Sequence, residues 1–127
     1  MSWRWLSRRA VLAIHAEQIA EHGGARGLRD SGLLEAALAR PRHRAAYEKP
    51  DPADLAAAYG LGLVRNHPFV DGNKRTGFIA AATFLLLNGC EIEASESDVV
   101  TTFRQLAHGT LTEHQLADWF RANSTRS

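Results

Sequence analysis

Apolar positions recur every three or four residues through most of this chain, the period of helices that bury one side. Over 7–24, Val11, Leu12, Ile14, Ile19 and Ala20 form such a stripe. Ser7 suits its N-cap and the pair Gly23 and Gly24 its stop. Leu33, Leu34, Ala37 and Leu38 predict a short second helix, with Asp30 or Ser31 as cap and Pro41 as terminator. A third begins with Asp51 at the N-cap and Pro52 at the first helical position, and runs to about Asn66, before Pro68. A fourth, over 73–87, ends at Asn88 and Gly89; its apolar run leaves almost no polar face, which predicts a central helix buried all round. Ser95 caps a fifth, which ends at His108 and Gly109. Thr112 with Gln115 forms the capping box of a sixth. The stretch CEIEA, 90–94, reads as extended but too short to found a sheet. The expectation is an all-α, compact single-domain bundle of about six helices over 1–127. Its least regular segment, 41–52, is an expected loop that serves either as a flap or as a simple connector.

Charge and cysteine content narrow the class. A formal net charge of +1 over 127 residues argues against direct nucleic-acid binding. One cysteine, Cys90, excludes an internal disulfide and suits a reducing, cytoplasmic setting. No signal-peptide pattern opens the chain, and the apolar run over 77–87 falls short of the roughly 20 residues that span a bilayer. A membrane association is therefore not expected.

One stretch breaks the local rules. In NHPFVDGNKRTGF, 66–78, Lys74 and Arg75 stand in the first turn of the fourth helix. Cations there are unfavourable by roughly 0.3–1 kcal/mol each, because the helix start already carries partial positive charge. An anion would compensate: backbone N–H groups around Gly72, Asn73, Lys74 and Arg75, with both cationic side chains, form a phosphate cradle. Gly72, lacking a Cβ, lets the backbone approach such a group. Asp71 is a hard oxygen ligand suited to Mg²⁺ bridging nucleotide phosphates. His67 offers an imidazole, which with an unperturbed pKa of about 6.5 serves as a general base near neutrality. Base, metal ligand and cradle together are what transfer from a nucleotide to a protein hydroxyl requires. Taken singly, Asp71 or Asn73 reads equally as a helix cap, and His67 as a loop histidine. Phe69 reads as a structural anchor that pins the loop into the core. No Walker loop or protein-kinase signature is present.

Other residues read more plainly. His15 and His22 share a face of the first helix and read as packing or surface residues, for lack of a ligand cluster. His108 and His114 fall at a helix end and an exposed turn. Trp3 and Trp5 cover the core or meet a partner. Arg40, Arg42, His43 and Arg44 make a small basic patch, a solvated face able to steer an acidic partner.

The nine residues HPFVDGNKR, 67–75, resemble the Fic/Doc superfamily signature H-x-F-x-[DE]-[GA]-N-[GK]-R, with fixed residues at six or more positions. The segment over 22–41 is similar to the stretch upstream of the motif in Doc-type members. The resemblance implies the Fic fold, with the motif loop leading into a buried central helix. It further implies ATP and Mg²⁺ as cofactors, His67 as the base, Asp71 as the metal ligand, and Gly72, Asn73, Lys74 and Arg75 as phosphate-binding residues. Typical Fic enzymes transfer AMP; they carry glycine where this chain has Lys74, and a second arginine where it has Phe78. Both departures resemble the Doc branch, whose members are toxins of type II toxin–antitoxin systems that transfer the γ-phosphate. A cation in place of glycine fills an anion pocket and turns ATP so that its γ-phosphate meets His67. The Doc resemblance implies a threonine of translation elongation factor Tu as target, with arrest of translation. It also implies a cognate antitoxin whose C-terminal segment folds into a groove. The inhibitory pattern [ST]-x-x-x-E-[GN] is matched only by SGLLEA, 31–36, which ends in Ala36, so control in trans is expected. The alternatives are an AMP transferase and a non-catalytic antitoxin-binding module.

Overall fold

The computed structural model describes residues 2–126. Its elements run α1 (Arg8–His22), α2 (Ser31–Tyr47), α3 (Pro52–Asn66), α4 (Asn73–Leu87), β1 (Cys90–Ile92), α5 (Glu96–His108), α6 (Glu113–Ala122) and β2 (Ser124–Arg126). The architecture is all-α, six helices with one minute antiparallel pair in which Cys90 faces Arg126 and Ile92 faces Ser124. Of the extended stretch at 90–94, Cys90–Ile92 thus become a strand after all. Its partner comes from the far end of the described chain, which no local pattern marks.

Local signals set most helix ends. Ser7, Asp51, Ser95 and Thr112 each accept an N–H from the first turn of their helix. Asp51 and Asp54 bond reciprocally, a capping box made of two aspartates.

The second helix departs from expectation. It passes through Pro41 and continues to Tyr47, so the expected loop over 41–52 shrinks to a short connector. Pro41 lacks the N–H that would reach the Ala37 carbonyl. Its ring is buried in line with Leu34, Ala37 and Leu38. Gly62 of α3 packs so closely over that bare carbonyl that an added Cβ would stand 3.4 Å from it. Beyond the proline, Arg44 secures the last turns by donating to the Asp54 carbonyl (3.1 Å), to Glu113 (2.8 Å) and to Glu48. Burial and a distant ion-pair network outweigh the local breaker. The basic patch is accordingly partly spent: Arg40 and Arg44 both pair with Glu113, and Arg42 lies over the Trp5 ring.

The helix buried all round is α3, not α4. Twelve residues of α3 are buried, and Leu55, Ala56, Ala57, Ala58, Tyr59 and Leu63 have no exposure. It packs against α2, α4, α5 and α6. The α4 helix buries one face, Thr76, Gly77, Ala80, Ala81, Phe84 and Leu85, and leaves Leu86 and Leu87 exposed. Its apolar outer face is half open because it walls a cleft. Trp3 and Trp5 cover the core, Trp5 stacking on Phe84 at 5.8 Å and Trp3 meeting it tilted at 6.1 Å between centroids. The Tyr59 hydroxyl, buried beneath them, accepts the Leu6 N–H at 3.0 Å. No helix among the described residues is long and apolar enough to cross a membrane.

Candidate functional site

The loop from α3 to α4 and the first turn of α4 hold every residue singled out by the motif. The α3 helix ends at His67, whose backbone is left-handed (φ 51°, ψ 54°), the only such non-glycine residue described. That conformation is costly for a residue with a Cβ, and it is held by several contacts. Arg29 forks over the end of α3, donating Nε to the His67 carbonyl (2.7 Å) and Nη2 to the Asn66 carbonyl (3.0 Å). The Pro68 carbonyl accepts both the Arg29 and Asp30 N–H groups, and Val70 N–H reaches the Gly27 carbonyl. Leu28 and Phe69 form an isolated antiparallel bridge. The segment before α2 is therefore laid along the motif like a short strand.

Within the loop, Phe69 is buried and Asn73 closes over it. Asn73 Oδ1 accepts the Phe69 N–H (3.0 Å) while its Nδ2 donates to the Phe69 carbonyl (2.9 Å). The Asn73 side chain is thus engaged within the loop, and its backbone N–H lies in the first turn of α4. Asp71 is exposed. Its Oδ2 accepts the Ala25 N–H (3.2 Å) and its Oδ1 the Gly72 N–H (2.9 Å). Those two donors, Ala25 first, hold its carboxyl below the usual carboxylate range, with small further help from His67 and His15. Gly24 makes the first contact possible: a Cβ there would come 2.8 Å from Asp71 Oδ2.

Gly72 is the N-cap of α4 at φ 79° and offers no side-chain cap; the first turn holds no acidic residue. Thr76 N–H closes back on the Gly72 carbonyl at 3.0 Å. Lys74 and Arg75 are exposed and form no ion pair with any described residue. An uncapped helix start, two unpaired cations and a glycine form a strongly anion-attracting point. His67, Asp71, Gly72, Lys74 and Arg75 line one end of a cleft of about 1010 Å³. Apolar Phe78, Ile79, Val99 and Phe103 also line it, and Phe78 meets Phe103 edge-on at 5.5 Å and Trp119 at 6.4 Å. Arg104 lies on the α5 wall. No cluster of three or more His, Cys, Asp or Glu able to hold a metal occurs among the described residues. A cation at Asp71 would draw its other ligands from phosphate and water, the habit of Mg²⁺.

Several site residues were not legible in the sequence. Gly24, Ala25 and Arg29 lie in the segment over 22–41 that resembles Doc-type members, but beyond Gly24 as a helix stop no pattern assigns them a role. His15 was read as a packing or surface residue; it is buried, and it touches the motif loop twice. His22 lines the cleft mouth, whereas His114 stays at the surface of α6, paired with Asp118.

The family model described as Fic/DOC family matches residues 5–85. A relative named Protein kinase doc, from Escherichia phage P1, is 33% identical over 120 residues, covering 81% of this chain and 95% of its own length. Another, Toxin Doc of Mycolicibacterium smegmatis, is 50% identical over 76 residues, 57% of each chain.

Proposed function

This chain belongs to the Fic/Doc family, and is of Doc type; on that premise we propose that it is the toxin of a type II toxin–antitoxin system. Its activity is transfer of the ATP γ-phosphate to a protein hydroxyl, a threonine of translation elongation factor Tu, which stops translation. The observation that carries this reading is one cleft in which the uncapped start of α4, with Lys74 and Arg75, adjoins His67 and Asp71. The name of the phage relative, a protein kinase, agrees with it. At position 78, where a second cation would hold an inner phosphate, an aromatic cluster stands instead.

The chemistry follows from charge placement. His67 takes the proton of the attacking hydroxyl. The hydroxyl oxygen bonds to the γ-phosphorus as the bond to the ADP oxygen breaks. The opening N–H groups of α4, which Gly72 lets phosphate approach because it has no Cβ, hold phosphate oxygens, and Lys74 and Arg75 balance the charge that gathers on the departing ADP. Mg²⁺ at Asp71 would screen the phosphate oxygens. Exposed Leu86 and Val100 line the same cleft, apolar surface of the kind that the C-terminal segment of an antitoxin would cover.

The test is label transfer to purified elongation factor Tu from γ-labelled and α-labelled ATP in parallel. Label from γ-phosphate alone, lost in His67→Ala, is the expected result. Label from α-phosphate makes the protein an AMP transferase. No label from either nucleotide overturns the proposed substrate and leaves a binding module.

A further inference from the structure

The motif loop rests on α1. His15 is buried there, its ring face to face with Phe69 at 3.8 Å between centroids and 5° between planes. Its Nε2 lies 2.8 Å from the Asp71 carbonyl oxygen. A carbonyl only accepts, so Nε2 carries the hydrogen and donates it. One turn along, Ile19 Cδ1 lies under both glycines of the site, 3.1 Å from where a Cβ on Gly72 would stand and 3.2 Å from one on Gly24.

The consequence lies in peptide geometry. The Asp71 carbonyl and the Gly72 N–H belong to one planar unit and point in opposite directions. With the carbonyl drawn toward α1 by His15, the N–H turns the other way and meets Asp71 Oδ1 at 2.9 Å. Gly72 tolerates either orientation of that peptide, so glycine alone does not fix it. Within this loop, His15 supplies the bond to the carbonyl side of the unit.

We propose that His15 is a positioning residue: by holding the Asp71 carbonyl it turns the Gly72 N–H onto Asp71 Oδ1 and so fixes the Asp71 carboxylate toward the cation. The inference rests on the reading of Asp71 and the α4 start as the Mg·ATP site. His15 does not touch the nucleotide. Outer groups that orient a metal ligand are worth about tenfold or more in affinity.

Two variants separate the bond from the packing. His15→Phe keeps a ring against Phe69 and removes the donor; His15→Gln keeps a donor of similar reach and removes the ring. Each is measured with the magnesium complex of the non-hydrolysable analogue adenylyl imidodiphosphate by calorimetry, without target protein. The orientation of the Gly72 N–H is measured separately, from its residual dipolar coupling. The expected result is binding about tenfold weaker in His15→Phe with an altered Gly72 coupling, and both near wild type in His15→Gln. Wild-type binding by His15→Phe, or an equal loss in His15→Gln, overturns the proposal. If the wild-type protein itself does not bind the complex, the nucleotide reading falls, and an unaltered Gly72 coupling in His15→Phe overturns the positioning role as well. Should His15→Phe not fold, a native Gly72 coupling in His15→Gln supports the proposal and a displaced one overturns it.

Discussion

Asn73 and Phe69 are joined by a reciprocal pair of hydrogen bonds, the amide oxygen of one accepting the backbone N–H of the other while the amide nitrogen donates to its carbonyl. The pair closes the motif loop into a ring and pins Phe69 in the core. Asn73→Ala leaves a buried N–H without a partner, which costs about 1–3 kcal/mol. Asn73→Asp keeps the acceptor but sets a buried carboxylate oxygen against the Phe69 carbonyl, so its loss is at least as large. Urea midpoints at constant slope check the order; equal stability of the three proteins would refute the brace.

The Arg29 fork predicts a second effect. Its two donors hold the carbonyls of Asn66 and His67 and so the left-handed turn that presents the His67 ring. Arg29→Ala lowers kcat by about 100-fold, the scale of a base displaced by roughly 1 Å, while KM for ATP stays within about twofold because the phosphate cradle is untouched. Arg29→Lys rescues little, since one ammonium does not reproduce a planar fork. Steady-state kinetics on the labelled target would decide it.

Lys74 predicts a trade between stability and function. It sits unpaired at an uncapped helix start. Lys74→Glu complements the helix dipole and raises stability by about 0.3–1 kcal/mol, while abolishing binding of the nucleotide. A thermal melt and a binding titration on the same sample read both. A fall in stability would show the cation to be structural.

Acid sensitivity is carried by the start of α3. Partial burial pushes the Asp51 carboxyl up, but the Asp54 N–H and the Arg121 guanidinium together hold it below the usual range. A carboxyl depressed on folding contributes stability above its unfolded value of about 3.9, and loses it as pH falls through the lower folded value. Arg121 also pairs with Asp54 and Asp118, and all these groups are partly exposed. Arg121→Ala therefore costs about 1 kcal/mol at pH 7. The difference from wild type closes as pH drops below about 4. Denaturation midpoints between pH 7 and pH 2 test the convergence.

How much of this was legible in sequence varied with distance along the chain. Ser7, Ser95, Thr112 with Gln115, and Asp51 before Pro52 each mark a helix start, because a cap and its N–H lie within three residues. The same local reasoning failed at Pro41, where burial beside α3 and the Arg44 network outweigh one missing hydrogen bond. It also misread α4, whose apolar run faces a cleft on one side rather than core on all sides.

The site divides in the same way. His67, Phe69, Asp71, Gly72, Asn73, Lys74 and Arg75 stand together in sequence, so the sequence by itself determined which groups meet at the helix start and what charge they carry. Their orientation was decided by His15, Gly24, Ala25 and Arg29, whose contacts to the loop cross 38 to 56 residues of chain. A cap is a local free energy and is written beside the helix it serves. A peptide plane that glycine leaves free to turn is fixed only by a donor from elsewhere in the fold, and only the packing of α1 beneath the loop brings that donor into place.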